Sequence, residues 1–169
     1  MCNHQEIPAQ LHSTSLLTEG APDLNVWRAI FRVNVCLSRQ LDQQLEAAHG
    51  LSLSSLQALI CIDEAPDGKM RMSDLAEAAG LSRSGVTRLA DRLEREELLC
   101  RDRCCDDARG AFACLTDTGR ARVVEARATY QVAVTELLLA HLSDDEREVI
   151  TTALERVSRE ALPGCGCTG

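Results

Sequence analysis

One face of a predicted helix carries polar side chains, in the stretch LSRSGVTRLADRLERE at residues 81–96. The residues at positions i, i+3, i+4 and i+7 of this face are Ser84, Thr87, Arg88 and Asp91. The apolar residues should pack inward from the opposite side, and they are Val86, Leu89, Ala90 and Leu93. Hydroxyl and guanidinium groups with little apolar bulk can hydrogen bond to base edges and to phosphates. The face therefore predicts contacts with nucleic acid. Arg83 and Arg92 of the same helix are further candidates for these contacts.

The same helix has a simpler interpretation as an ordinary solvated surface. Arg88 and Arg92 could pair with Asp91 and Glu94 along the helix, which would leave no groups for a ligand. For this stretch taken alone, the two interpretations stay open.

A second group of residues that could carry out chemistry is the set of nine cysteines. Two extended segments, LLCRDRCC and GAFACLT, predict a hairpin that turns at DDARG. In that hairpin Cys100 and Cys104 share a side, and Cys114 returns opposite them. Cys61 lies in an apolar helix and is most simply a core thiol. The tail residues Cys165 and Cys167, with Cys2 and His4, form another potential group.

Thiolates can bind soft metals such as zinc or copper(I), or they can pair as a disulfide. The sequence contains no C-x-x-C pair and no H-x-x-x-H frame, the ligand spacings typical of metal sites. The positive charges of Arg101, Arg103 and Arg109 should lower the pKa of the hairpin thiols. The carboxylates between these arginines weaken that effect. The metal or redox candidates are Cys100, Cys104, Cys105, Cys114, Cys165 and Cys167.

Helices are expected to position both groups. Residues 1–23 show no sustained period and predict a flexible arm, and a long helix should run from Asn25 to a stop at Gly50. A second helix is expected at about residues 54–63. Ser73 and Ser82 are predicted to cap two short helices around a turn at Gly80, which makes a helix-turn-helix.

After the hairpin, or wing, two more helices are predicted. Thr116 should cap the first, whose apolar positions share one face: Ala121, Val124, Ala128, Val132, Leu138 and Leu142. SDDE at residues 143–146 is a capping box for the last helix, and the LPGCGCTG tail cannot continue it.

Composition agrees with a mainly helical protein, because aromatic residues make up 2% of the chain and the core must come from aliphatic residues. A net charge of −8 argues against a polycation that coats nucleic acid or membranes. The sequence has no apolar run long enough to span a membrane and no secretory signal, so a cytoplasmic protein is expected.

The order helix-turn-helix, wing and long helix resembles the MarR (multiple antibiotic resistance regulator) family of bacterial transcription factors. The motifs that carry the resemblance are LSRSGVTRLADRLERE, the wing-tip Asp107-Ala108-Arg109, and CLTDTG. It extends over roughly residues 25–161. The resemblance implies a mainly α fold, a winged helix-turn-helix lobe with a helical dimerisation region, and a homodimer on double-stranded DNA.

The resemblance also implies roles for two wing residues and boundaries for the parts of the chain. Arg109 would enter the minor groove and Asp107 would orient the wing. The predicted parts are an arm (1–23), a dimerisation region (24–50 and 116–162), a DNA-binding domain (51–115) and a cysteine-containing tail (163–169). The expected function is a regulator, usually a repressor, released from a pseudo-palindromic operator by a small ligand, an oxidant or a soft metal.

Two alternatives remain from other classes of protein. One is a cysteine-based oxidoreductase, which is disfavoured because all four histidines fall outside the wing. The other is a thiol-rich metal-binding protein without specific DNA binding. We therefore expect no enzyme activity and no certain cofactor beyond a candidate thiolate-bound metal or redox-active cysteines.

Overall fold

The computed structural model describes residues 24–103 and 111–161, which form six α-helices, two short 3-10 helices and a small sheet. The helices are α1 (Asn25–His49), α2 (Leu53–Glu64), α3 (Met72–Ala78), α4 (Arg83–Arg95), α5 (Asp117–Leu137) and α6 (Asp144–Ala161). The strands are β1 (Lys69–Arg71), β2 (Leu99–Arg103) and β3 (Ala111–Leu115). The mainly helical, winged fold predicted from the sequence is confirmed.

The junction between α1 and α2 is fixed by local hydrogen bonds. Gly50 takes a left-handed conformation (φ 64°) and its N–H donates to the Glu46 carbonyl, which ends α1 at the predicted residue. At the start of α2, the Asp42 carboxylate accepts from the Leu53 N–H at 2.8 Å, and the Ser52 hydroxyl accepts from the Ser55 N–H. These bonds satisfy backbone donors that a helix N-terminus leaves free.

The helix-turn-helix is confirmed, with one correction at its first cap. Ser73 does not cap α3, because the helix begins at Met72 and Ser73 lies within its first turn. The Ser73 hydroxyl donates to the Asp74 carboxylate instead. Gly80 makes the turn with φ 62°. The Ser82 hydroxyl accepts from the Gly85 N–H at 3.1 Å and caps α4 as predicted.

The sheet has three antiparallel strands in the order β1-β3-β2, rather than the two of the predicted hairpin. The strand that was not predicted is β1, where Lys69 lies opposite Cys114. Three residues are too short to show an alternating pattern, so this strand depends on its pairing with β3. On the other side of β3, Cys100 lies directly opposite Cys114, as predicted.

The core joins the second half of α1 to α2, α4, the sheet and α5. Its fully buried side chains include Leu45, Leu56, Leu93, Leu99 and Val123. Burial of a leucine or valine side chain stabilises a fold by about 1.5–3 kcal/mol. This core holds α4 and the sheet in one unit, which positions both groups singled out from the sequence.

The apolar face predicted for α5 is not the side that packs in the core, and two of its members, Leu138 and Leu142, lie beyond the end of the helix. Val124 and Val132 are exposed, whereas Val123, Ala126 and Ala133 are buried. Apolar residues lie on more than one side of this helix, so spacing alone does not select the side that meets the core. The predicted cap is correct, because the Thr116 hydroxyl accepts from the N–H of the third residue after it at 2.9 Å.

Helix α6 begins at the predicted capping box. The Ser143 N–H and hydroxyl both donate to the Glu146 carboxylate, at 2.9 and 2.8 Å. These bonds lower the pKa of Glu146, the backbone N–H contributing most. No residue of α6 is buried. Among the described helices, none alone is long and apolar enough to cross a bilayer, and only the pair α1–α2, bent by 80°, passes on length and composition.

Candidate nucleic-acid interface

Helix α4 buries one side and exposes the other, as its sequence predicted. Its four apolar residues are in the core, whereas Arg83, Ser84, Thr87 and Arg88 are exposed. Within the described residues, no hydrogen bond or ion pair engages the Arg88 guanidinium. Its five N–H donors are therefore available to a ligand in a planar arrangement.

The two hydroxyl groups of this face form hydrogen bonds within α4 and to its N-terminal cap. Thr87 donates to the Arg83 carbonyl at 2.8 Å, so its methyl group and remaining acceptor capacity face outward. Ser84 lies 3.2 Å from the capping hydroxyl of Ser82. A methyl group and an acceptor at these positions suit thymine methyls and amino donors on base edges.

Arg92 does not belong to the exposed face, which corrects the placement expected from the sequence. Its guanidinium donates to the hydroxyl of Ser52 at 3.0 Å and to that of Ser55, which is buried. Ser52 is also the N-terminal cap of α2. Arg92 thus links α4 to the start of α2, and this geometry does not support a direct role in DNA binding.

We expect Arg92→Ala to lower the free energy of unfolding by about 1–2 kcal/mol, because it removes charged donors from two hydroxyls, one of them buried. Urea unfolding at a fixed protein concentration measures the change. The matched control is Arg95→Ala, whose side chain is exposed and bonds only to the Asp91 carbonyl among the described residues. Equal midpoints for the two variants would contradict the structural role of Arg92.

Arg101 on β2 fastens the wing to α4. Its guanidinium donates to the Thr87 carbonyl at 3.2 Å and to the Asp91 carboxylate, and it lies 3.8 Å from Glu94. Asp91, a predicted DNA contact, is therefore already paired across the two elements. From the sequence, Arg101 is only a source of positive charge, because its link to α4 depends on the fold.

A cleft between β1, α3 and α4 brings further polar groups to this surface. It is lined by Arg71, Ser73, Arg83 and Thr87. Arg71 also lies over the Phe112 ring, with its guanidinium carbon 4.9 Å from the ring centroid. Arg71 was not predicted as a site residue, because the strand that carries it, β1, has no signal in the sequence. Two predicted contacts, Asp107 and Arg109, lie outside the described residues.

The described cysteines differ from expectation in one respect. Cys100 is exposed, whereas Cys114 is buried. Burial raises the pKa of Cys114, and the neighbouring Cys100 adds to the effect. The predicted lowering of thiol pKa is therefore wrong for Cys114. Cys61 packs against the core as predicted.

The metal hypothesis gains no cluster from the described part of the chain, which holds no group of three or more His, Cys, Asp or Glu suited to a metal ion. Four of the candidates, Cys104, Cys105, Cys165 and Cys167, lie outside the described residues.

Known proteins share this fold and this arrangement of helices and strands. The MarR family model matches residues 51–110, which span α2, the helix-turn-helix and β2. A MarR family transcriptional regulator from Streptomyces coelicolor, Sco3205, solved in complex with DNA, is 28% identical over 82% of this chain and 86% of its own, with a TM-score of 0.76. Residues 51–110 match the MarR family, and the fold of the chain matches that of MarR family transcriptional regulators. MarR-family proteins are transcriptional regulators.

Two further structures from S. coelicolor have the same fold. The MarR family regulator AbsC is 28% identical, with a TM-score of 0.77 over 85% of this chain and 98% of its own. Sco5413, also a MarR family regulator, is 24% identical, with a TM-score of 0.72 over 84% of this chain and 96% of its own. No curated protein sequence matches the chain. The winged fold extends beyond the 60 or so residues that the family model covers.

Proposed function

We propose that this protein is a homodimer that binds a pseudo-palindromic DNA operator through α4 and represses transcription until an effector releases it. The observation that carries the proposal is the exposed face of α4, where Arg88 is free of partners among the described residues. That the similar Sco3205 was solved with DNA supports it. The chain is acidic overall, so binding must come from this local basic surface.

A second copy of the chain is the proposed partner because α1 and α6 expose large apolar side chains. Trp27 is 60% exposed, Phe31 56% and Val157 49%. A soluble monomer rarely exposes a continuous apolar surface of this kind. Pairing two such surfaces about a two-fold axis would bury both.

The centre of this proposed interface is an apolar groove between α1, the segment that follows α5 and the middle of α6. It is lined mainly by aliphatic side chains, including Ile30, Val33, Leu138, Ile150 and Leu154. The groove supports the proposed boundaries, in which residues 24–50 and 116–162 dimerise and residues 51–115 bind DNA. Asp107 and Arg109 are proposed to act at the wing tip, with Arg109 in the minor groove.

Release of the operator is proposed to follow binding of a small ligand or a reaction of the cysteines with an oxidant or soft metal. The alternative, a cysteine-based protein without specific DNA binding, is disfavoured at Cys114. Its burial and raised pKa reduce the thiolate fraction that could bind a metal ion or attack a substrate from solvent.

Selection from a pool of random duplexes tests the proposal directly. The reduced full-length protein should enrich an inverted repeat whose half-site centres lie about one helical turn, roughly 34–36 Å, apart. Measured affinity for that duplex should fall steeply with salt concentration. Enrichment of no sequence, or of single unpaired sites, would overturn the proposal.

With that operator in hand, Arg88→Ala should weaken binding by about 1–3 kcal/mol and relax base preference at one position of each half-site. Titration of the duplex, and of variants substituted at each position, measures both effects. Arg109→Ala should weaken binding through loss of the wing contact. The control, Arg39→Ala, removes the same charge from an exposed position of α1. If Arg88→Ala binds like the control, α4 is not the reading helix.

A further inference from the structure

We propose that Cys100 and Cys114 form one oxidation site, where a hydroperoxide closes a disulfide between β2 and β3 and thereby weakens operator binding. The effect on DNA rests on the proposed function, whereas formation of the disulfide does not. The two parts can therefore fail separately.

The register of the sheet carries the proposal. Cys100 and Cys114 are direct cross-strand partners, and the Cys100 thiol lies 3.5 Å from the Cys114 carbonyl oxygen. Directly opposed residues have Cβ atoms about 4.5–5.5 Å apart, and a disulfide needs about 3.5–4.5 Å. An approach of about 1 Å is therefore enough to close the bond.

The surroundings give the two thiols different roles. Cys100 is exposed and can meet an oxidant from solvent, whereas Cys114 is only 8% exposed. On the far side of β3, Lys69 lies opposite Cys114 and pairs with the Asp102 carboxylate on β2 at 2.9 Å. The Lys69–Asp102 pair thus joins β1 to β2 across β3, the strand that carries Cys114. Cys100 is the thiol positioned to react first, and Cys114 is positioned to resolve the product.

The reaction balances with a hydroperoxide as the only oxidant. The Cys100 thiolate attacks the terminal oxygen of the hydroperoxide, which breaks the O–O bond and releases an alcohol, or water from hydrogen peroxide, after protonation. Cys100 becomes a sulfenic acid. The Cys114 sulfur then attacks the Cys100 sulfur, and the hydroxyl leaves as water with the proton from Cys114. Two thiols are oxidised by two electrons and one peroxide bond is reduced.

The expected effect on DNA follows from the neighbours of the pair. Arg101, the residue after Cys100, fastens β2 to α4 through Thr87 and Asp91. In sequence, β2 continues into the wing segment that contains Arg109. Drawing β2 towards β3 would therefore shift both the helix attachment and the approach to the wing. Loss of one good groove contact lowers affinity by about fivefold or more, and we expect an effect of that size.

Peptide mapping tests the bond itself. The full-length reduced protein is treated with cumene hydroperoxide, its remaining thiols are blocked with N-ethylmaleimide at acidic pH, and it is digested with trypsin. Cleavage after arginine puts Cys100 in EELLCR, Cys114 in GAFACLTDTGR, and Cys104 and Cys105 in CCDDAR. A linked EELLCR–GAFACLTDTGR species supports the site. Its absence, or linkage of either peptide mainly to CCDDAR, overturns it.

Operator affinity before and after oxidation tests the consequence. The parent and the control Cys36→Ser, an exposed cysteine of α1, should each lose about fivefold or more on oxidation and recover with a reductant. Cys100→Ser should bind equally well with and without oxidant, and so should Cys114→Ala, after circular dichroism confirms that each is folded. An oxidant response that survives in both variants, or a linked parent with unchanged affinity, overturns the switch.

Discussion

Ile150→Glu combined with Leu154→Glu is expected to convert the protein to a monomer and to weaken operator binding by about 100-fold or more. Both side chains line the apolar groove, and they are 43% and 44% exposed in the single chain. Two carboxylates placed there would lose water in a dimer without gaining partners, at a cost of several kcal/mol. A monomer also loses the advantage of binding two half-sites together.

Sedimentation velocity at micromolar concentration measures the first effect and titration of the selected operator the second. Because α6 has no buried residue, the DNA-binding lobe should stay folded, which circular dichroism can verify. The matched control places two carboxylates on the same helix outside the groove, as Thr151→Glu with Ser158→Glu, at two exposed positions. A dimeric Ile150→Glu, Leu154→Glu variant would move the interface away from this groove.

Gly119→Ala should be the most destabilising single methyl addition at a described glycine. An added Cβ would lie 2.0 Å from the carbonyl oxygen of Leu98 and 2.9 Å from its carbonyl carbon. This clash is with backbone, and the same carbonyl accepts from the Thr116 N–H at 3.2 Å. The start of α5 would have to move away from the start of β2, so we expect a loss of about 3 kcal/mol or more.

Urea unfolding at fixed protein concentration measures this loss. The comparison is Gly85→Ala in α4, where the nearest atom to an added Cβ is the Ser82 hydroxyl oxygen at 3.2 Å. That oxygen ends a short rotatable side chain, and alanine favours a helix more than glycine does by up to about 1 kcal/mol. The Gly85→Ala variant should therefore stay within about 1 kcal/mol of the parent. Similar stabilities for both variants would show that α5 and β2 do not approach as closely as described.

Features that depend on neighbours in the chain were predictable from the sequence. The cap of α4 at Ser82, the capping box of α6 and the stop of α1 at Gly50 are all correct, because each is made within four residues. The inward side of α4 was correct for the same reason, since a strong 3.6-residue period places Leu93 and its neighbours on one face. The opposition of Cys100 and Cys114 followed from the alternation of two strands.

Other features required the tertiary structure, because they join residues far apart in sequence. β1 exists through its pairing with β3, and Arg92 turns from the surface because hydroxyls 37 and 40 residues away accept its N–H groups. Cys114 is buried on the central strand of the sheet, between Lys69 on β1 and Cys100 on β2. In α5, the packing of α1 and α2 decides which of two adjacent valines enters the core. Periodicity and capping are local properties, whereas a side chain's environment depends on which elements pack around it.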